Sequence, residues 1–451
     1  MNKKTKTSSI FRDEEVYLRF LGLKLISFKK GKYGLIKGTG LLNPILEKLR
    51  LIPMIYLQAK FYKQYDNLGR WNGKRVANTF APPVGSRPQL RAIKGLIKSH
   101  LLGRAFPLAM TFAITYRCQC RCVHCSAGYH RKTGVPELST EEAKRLIDES
   151  QDLGITILAF TGGEPLLRDD IYELIGHVDK NKTLPIMFTN GLLLNEENAQ
   201  KLADAGLYSI FVSLDSPYPE EHDSLRGMKG LFERAVEGIK LMKSKGVFVG
   251  ISSYATRSAT ASGTYKKLYM LGKELGVHNV LLFDAVPTGK MLKDTSEMLT
   301  DEQREEILEF SRYIFSHKEV PPLSSQVWQN SVEGNLSGIG CLAANIQYYV
   351  SAYGDVTPCD FTPISFGNIR QEPLKKIWKK MIHHPAFRHR SCFCRMQHPA
   401  FRHFYIDPIP EGSPLPYPVE KLPRVDYRKQ IYMVSDLEEK TDEEKAVGSE
   451  L

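Results

Sequence analysis

A chain of 451 residues, 42% hydrophobic and 25% charged, is long enough for two or three domains with buried cores and too apolar to be disordered throughout. No run reaches about eighteen uninterrupted apolar residues, and the charged N-terminus lacks the apolar core of a signal peptide, so neither a transmembrane helix nor a leader is predicted. The formal net charge of +12 is lopsided: residues 1–105 carry 22 Lys and Arg against 5 Asp and Glu, whereas the stretch Asp436 to Leu451 carries seven acids against two lysines.

The basic region, 1–105, mixes its charges with apolar side chains, in the run Leu41 to Tyr62 and again from Leu90 to Leu102. In the second run Leu90, Ile93, Ile97 and Leu101 recur at helical spacing, with Arg91, Lys94 and Lys98 off the stripe. Such a helix can lie on an anionic bilayer, where each basic residue near the surface contributes about 1 kcal/mol. It can equally be a helical extension packed on the next domain with a solvated basic face, or an arm for nucleic acid.

Leu108 to Thr115 is an apolar, β-branched run of strand length. Directly after it, four cysteines fall within eight residues: Cys118, Cys120, Cys122 and Cys125. Three of them read Cys-x3-Cys-x2-Cys. Thiolates hold iron-sulfur clusters, and a [4Fe-4S] cube with three protein ligands keeps one iron open for another molecule. Half a structural zinc site is the competing reading of Cys122 and Cys125, but no second pair at matching spacing follows within the usual short span. Cys120 lies outside the pattern and is read as a bystander thiol.

An amphipathic stretch, Thr140 to Leu153, follows with Ser139 or Thr140 as its cap. The strand Ile155 to Thr161 then ends in Gly162-Gly163-Glu164-Pro165, where two glycines let the backbone approach a ligand and a carboxylate can accept from an ammonium group. Strand-like runs recur at Leu184 to Thr189, Ser209 to Leu214, Val247 to Ser253 and Asn279 to Phe283, separated by helical patterns punctuated by Gly206, Gly246 and Gly276. Six βα units of this spacing predict an α/β fold, a partial (β/α)6 TIM-type barrel over 106–300. Ligands of such barrels bind at the carboxyl ends of the strands. The functional candidates are therefore Asn190, Ser213, Asp215, Ser252, Ser253 and the stretch Asp284 to Gly289, with Asp284 and Tyr254 as the only candidates for moving a proton.

The cysteine loop and Gly-Gly-Glu-Pro together resemble the radical S-adenosylmethionine (SAM) superfamily, strongly so over about 108–290. The resemblance implies that Cys118, Cys122 and Cys125 ligate a [4Fe-4S] cluster whose open iron is chelated by SAM, and that Gly162, Gly163, Glu164 and Pro165 receive the SAM amino group. It further places the equivalents of Ser213 and Asp215 near the SAM ribose and methionine, those of Ser252 and Ser253 near the ribose, and the Pro287 to Gly289 turn near the adenine. The stretch His222 to Gly227 is also similar to one in relatives whose arginine positions SAM; Arg226 is read either so or as a surface residue capping a helix.

Residues 301–339 are read as a helical connector, after which a second cysteine set begins with Cys341 and Cys359 and ends in Cys392 and Cys394. Tyr353-Gly354-Asp355 reads as the turn of a hairpin. Residues 340–405 resemble the SPASM and twitch auxiliary-cluster domains of the same family, which implies a second [4Fe-4S] cluster. A single residue separates Cys392 from Cys394 where relatives have two, so one of that pair can be free. The unit His-Pro-Ala-Phe-Arg-His occurs at His384 to His389 and again at His398 to His403, bracketing the pair. Residues 406–451 are a Pro-rich stretch and then an acidic, disordered tail.

The expected activity is reductive cleavage of SAM to a 5′-deoxyadenosyl radical that takes hydrogen from an unactivated carbon, with a reductant such as ferredoxin or flavodoxin as partner. The expected location is the cytoplasm or the inner face of the cytoplasmic membrane. The substrate is left open between a membrane lipid or isoprenoid, a peptide or protein to be matured, and RNA. A non-enzymatic iron-sulfur protein at the membrane surface is the alternative outside catalysis.

Overall fold

The structure is a computed structural model describing residues 68–76, 79–102, 105–317, 319–331, 340–389, 391 and 394–429, together with three strands nearer the N-terminus. Those three, β1 (Glu15–Phe20), β2 (Leu23–Lys30) and β3 (Ile36–Gly38), form an antiparallel sheet of their own, adding strands to a region read from sequence as helical. The run Leu41 to Tyr62, the acidic stretch from Asp436, and Cys392 lie outside the described residues.

All six expected strands form, as β6 (Ala109–Thr115), β7 (Ile157–Gly162), β8 (Leu184–Thr189), β9 (Ser209–Ser213), β10 (Phe248–Ala255) and β11 (Asn279–Asp284). Each pairs in parallel with the next, and helices such as Thr140–Leu153 and Leu231–Ser244 connect them. Alternation along the strands sorts the side chains. Met110, Phe112, Leu158, Phe160, Met187, Ile210, Val212, Val249 and Ile251 face the helices, and Ile157, Ala159, Ile186, Phe211 and Phe248 face the inside of the curved sheet. Ser139 opens the helix Thr140–Leu153 with a capping box to Glu142, as its sequence suggests.

The sheet has nine strands in the order β12-β11-β10-β9-β8-β7-β6-β13-β14 and is not closed. Its outer members come from sequence read otherwise. Between the connector helices Asp301–Ser316 and Gln326–Asn330, β12 (Leu323–Ser325) joins β11 in parallel. On the opposite side β13 (Gln347–Val350) runs parallel to β6 and turns through Ser351 to Asp355 into β14 (Val356–Thr357), the expected hairpin. The half-barrel and the auxiliary domain therefore share one sheet. Ile406, Ile409, Leu415 and Tyr427 are buried against the auxiliary domain, and β16 (Tyr417–Pro418) pairs with β15 (Ile364–Ser365), so much of 406–429 is part of the fold.

Residues 68–76 and 79–84 fill the half-barrel at the amino ends of its strands. A small hairpin, β4 (Arg70–Trp71) and β5 (Lys74–Arg75), turns through Asn72 and Gly73, both at positive φ. Trp71 sets its edge on Tyr208 at 5.1 Å, Phe80 stacks on Phe211 at 4.3 Å, and the Ser209 hydroxyl donates to the Thr79 carbonyl at 3.2 Å. The following helix, Arg87–Leu102, packs on the domain: the Arg91 guanidinium donates to the Gln151 carbonyl, and a Cβ on Gly95 would stand 2.9 Å from Leu108 Cδ2. Lys94 and Lys98 stay exposed on it, as do Leu90 and Leu102.

Candidate active site

β6 delivers the chain into the cysteine loop, and three neighbours pin that loop. Arg121 N donates to Arg226 O at 2.9 Å and Val123 N to Leu225 O at 3.0 Å, tying the loop to the end of the helix Pro219–Arg226. Lys290 reaches in from beyond β11, its Nζ donating to Cys122 O at 2.7 Å and its N to Cys125 O at 3.1 Å. Gly289 makes this approach possible, because a Cβ there would lie 2.3 Å from Cys125 O. From β7, Gly163 N donates to Thr115 O at 2.7 Å and Glu164 N to Arg117 O at 2.8 Å; a Cβ on Gly162 or Gly163 would fall 2.1 Å from the first or second of those carbonyls.

The thiols gathered by the loop interact. Cys118 and Cys122 both hydrogen-bond with Cys120, which lowers the pKa of each and brings that of Cys122 to about 6, with the Arg226 guanidinium helping. Burial, then the charges of Cys122 and Cys118, push Cys125 up. Cys120 therefore sits among the three thiols of the Cys-x3-Cys-x2-Cys pattern rather than apart from them, and its own thiol is held strongly protonated by those two hydrogen bonds. Among the described residues no three His, Cys, Asp or Glu side chains close around a single metal ion.

Polar groups surround the loop. The Asn190 amide stands 3.4 Å from Gln119 Oε1 and 3.9 Å from Cys118 Sγ. Gln119 Nε2 and Thr288 Oγ1 are shut off from solvent without a partner among the described residues, which leaves a donor and a hydroxyl for a polar ligand such as SAM. Glu164 is fully buried and joins two strand ends: it accepts from Thr189 Oγ1 and Asn190 N at 2.8 Å each and from Leu166 N at 3.2 Å. Burial still raises its pKa above the ordinary carboxylate value. Three donors leave one acceptor position of the carboxylate for an incoming ammonium. Pro165 starts the short 3-10 turn behind it.

Asp215 and Arg226 form a bidentate pair, Nε to Oδ2 at 2.7 Å and Nη2 to Oδ1 at 3.0 Å, with His124 Nε2 at 3.4 Å on the same carboxylate. Burial presses the Asp215 pKa upward, but Arg226 and His124 outweigh it and hold the group below its usual range. Arg226 is thus neither a surface residue nor free to reach outward. Tyr254 hydrogen-bonds His124 Nδ1, and burial takes His124 down to about 4, so the imidazole is neutral at pH 7. Ser213 is in register with Ser252, on the inner face. Ser253, one residue on, belongs by alternation to the helix side with Val249 and Ile251, away from Ser213. Asp284 faces the auxiliary domain, accepting from Arg304 at 2.9 Å and Gln397 at 3.2 Å.

The second thiol group converges as expected for the residues described. Burial and then the charge of Cys341 push Cys359 up to about 12, and burial followed by Cys341 and Cys359 pushes Cys394 well up too. Two neighbours were not singled out from sequence. Asp360 accepts from Gln347 Nε2 at 3.0 Å, and burial raises its carboxyl to about 6. Tyr349, on β13, lies in electrostatic reach of Cys125 in the first thiol group and of Asp360, the residue after Cys359 of the second. Their only sequence signal was proximity to Cys359 and to the hairpin.

Comparison with known proteins agrees with this geometry. Residues 112–256 match the family model described as the radical SAM superfamily, and residues 341–398 one described as an iron-sulfur cluster-binding domain. The AdoMet-dependent heme synthase of Nitratidesulfovibrio vulgaris is 31% identical over 62% of this chain and 80% of its own length. The Fe-coproporphyrin III synthase of Methanosarcina barkeri is 29% identical over 62% of this chain and 76% of its own. The crystal structure of Streptococcus suis SuiB bound to S-adenosylmethionine shares the fold, with a TM-score of 0.51 at 16% identity, over 81% of this chain and 87% of that one.

Proposed function

Because the chain belongs to the radical SAM superfamily and carries a cluster-binding domain behind the first, we propose that it takes hydrogen from a carbon of an iron tetrapyrrole. The observation that carries this reading is the presence of two thiol groups, Cys118/Cys122/Cys125 and Cys341/Cys359/Cys394, in two domains that share one sheet through β6 and β13. Relatives whose names state that they make heme or Fe-coproporphyrin III supply the substrate class, since they match this chain over three quarters or more of their length. Bound at the first loop, a [4Fe-4S] cluster with SAM supplies the 5′-deoxyadenosyl radical.

The protein's own residues then bind, orient and exclude water. The Gly162 and Gly163 backbone and the remaining acceptor position of Glu164 receive the SAM amino group. Asn190, Ser213 and Ser252 line the inner face, while the Asp215–Arg226 pair fixes the loop from behind through Leu225 and Arg226. Asp360, half-buried beside Cys359 with its pKa raised, is the group we assign to hold a proton. Cys341, Cys359 and Cys394 would hold an auxiliary cluster that supplies an electron acceptor, and a ferredoxin or flavodoxin would serve as reductant. A peptide substrate is the second reading, favoured by the auxiliary domain. The lipid and RNA readings rested on the basic N-terminal region, whose helix Arg87–Leu102 lies packed on the half-barrel instead of standing free.

The test is anaerobic turnover of the reconstituted, reduced protein with SAM and Fe-coproporphyrin III. A new porphyrin mass together with 5′-deoxyadenosine above the porphyrin-free rate is expected. An unchanged porphyrin, with 5′-deoxyadenosine at the same rate whether or not it is present, overturns the tetrapyrrole reading.

A further inference from the structure

Next to the second thiol group lies a buried cation that no anion balances among the described residues. Arg395, immediately after Cys394, is 1% exposed and among the largest fully buried side chains. Among the described residues its guanidinium donates to backbone carbonyls alone: Nε to Ala386 at 3.1 Å, Nη1 to Ala343 at 3.4 Å, and Nη2 to His389. Its central carbon lies 5.1 Å above the Phe387 ring. Among the described residues no carboxylate comes within ion-pairing distance of it, whereas Arg168 and Arg226 near the first loop are paired with Asp170 and Asp215. Arg402, 8% exposed, also donates to carbonyls, those of Met396 and Leu292, but it does not adjoin a thiol of the group as Arg395 does. Burying a charge without a counterion is costly, and carbonyl dipoles offset that only in part.

The position of Arg395 supplies the missing partner. It follows one thiol of the group and grips the carbonyl of Ala343, two residues after another, Cys341. Tyr427 is in electrostatic reach of both Arg395 and Cys341. A cluster on thiolates is an anion, and nearby charge and hydrogen bonds set its reduction potential. Resting on the auxiliary-cluster reading above, we propose that Arg395 is the fixed countercharge of the cluster held by Cys341, Cys359 and Cys394, and that it raises that cluster's reduction potential so that the cluster can take an electron. Arg395 is a positioning residue in this account, acting through the cluster without touching substrate.

The experiment is an EPR-monitored redox titration, with iron analysis, of the full-length reconstituted wild type and of Arg395→Gln and Arg395→Lys. Arg395→Gln is expected to keep its iron while the auxiliary midpoint moves to more negative potential and that of the first cluster stays; Arg395→Lys should lie between. An auxiliary midpoint equal to wild type in an iron-replete Arg395→Gln overturns the proposal. If Gln loses the auxiliary iron, the lysine variant decides. Retention of iron with a midpoint near wild type supports a role for the charge, and loss of iron there too makes Arg395 a mere tie between loops and overturns it. A wild type holding only one cluster would instead remove the auxiliary-cluster reading on which the proposal stands.

Discussion

Tyr116 and Tyr349 meet hydroxyl to hydroxyl at 2.7 Å in the buried seam where β6 of the half-barrel runs beside β13 of the auxiliary domain. Tyr116 stands two residues before Cys118, and Tyr349 is in electrostatic reach of Cys125 and Asp360, so this bond joins the surroundings of the two thiol groups. Burial raises both phenols well above their ordinary pKa, and both remain protonated. Changing either tyrosine to Phe leaves the other hydroxyl buried and unpaired, at a cost of about 1–3 kcal/mol. The double variant should cost less than the sum of the singles, by on the order of 1 kcal/mol in a denaturant double-mutant cycle. Strict additivity would show that the bond contributes nothing to the seam.

The Asp215–Arg226 pair carries a larger expectation. Arg226→Gln strands a buried carboxylate, and loss of one member of such a pair costs about 3–5 kcal/mol. Denaturant unfolding of the variant should show this loss, and equilibrium dialysis should show weaker SAM binding because the pinned loop at Arg121 and Val123 loosens. Arg226→Gln with wild-type stability would mean that Asp215 is balanced by His124 alone.

Cysteine assignments separate by iron content. Cys125→Ala should lose the iron of the first cluster, whereas Cys120→Ala should keep it, along with SAM cleavage. Loss of iron on removing Cys120 would contradict the Cys-x3-Cys-x2-Cys assignment, a real risk because that thiol hydrogen-bonds with Cys118 and Cys122.

Acid should weaken the auxiliary domain through His384, whose ring is enclosed by Phe366, Phe387 and Tyr405. Burial, aided by Arg424, lowers its pKa to about 4 from an ordinary 6.5. The unfolded chain therefore binds a proton that the folded one refuses, and stability falls as pH drops from about 6.5 toward 4. The loss should approach about 2–3 kcal/mol. His384→Asn, which keeps an acceptor for Ala386 N, should flatten that slope in unfolding measured across the window.

The half-barrel was legible because its strands are short apolar runs, buried on both faces, that close on glycines or small polar residues; all six begin within two residues of where they were expected. What escaped was non-local or short. β12 has three residues, and β13 pairs with a strand more than two hundred residues earlier, so neither carries a periodic signal of its own. The plug at 68–76 and 79–84 had one usable mark, Asn72-Gly73, a two-residue hairpin turn. At the site, residue type located Cys118, Cys122, Cys125 and the Gly-Gly-Glu-Pro turn. It could not show that Ser253 takes the opposite face from Ser252, that Arg226 is locked to Asp215, or that Asp360 is half-buried with its pKa raised. Those facts depend on which side chains the fold brings together.

SAM cleavage at the first cysteine loop is read from 5′-deoxyadenosine formation in the anaerobic, reduced, iron-loaded protein given SAM, beside Cys122→Ala prepared in the same way. Product from the wild type and none from the variant is the predicted result. Absence of product from an iron-replete wild type, or equal product from both, would contradict SAM cleavage at the Cys118–Cys125 loop.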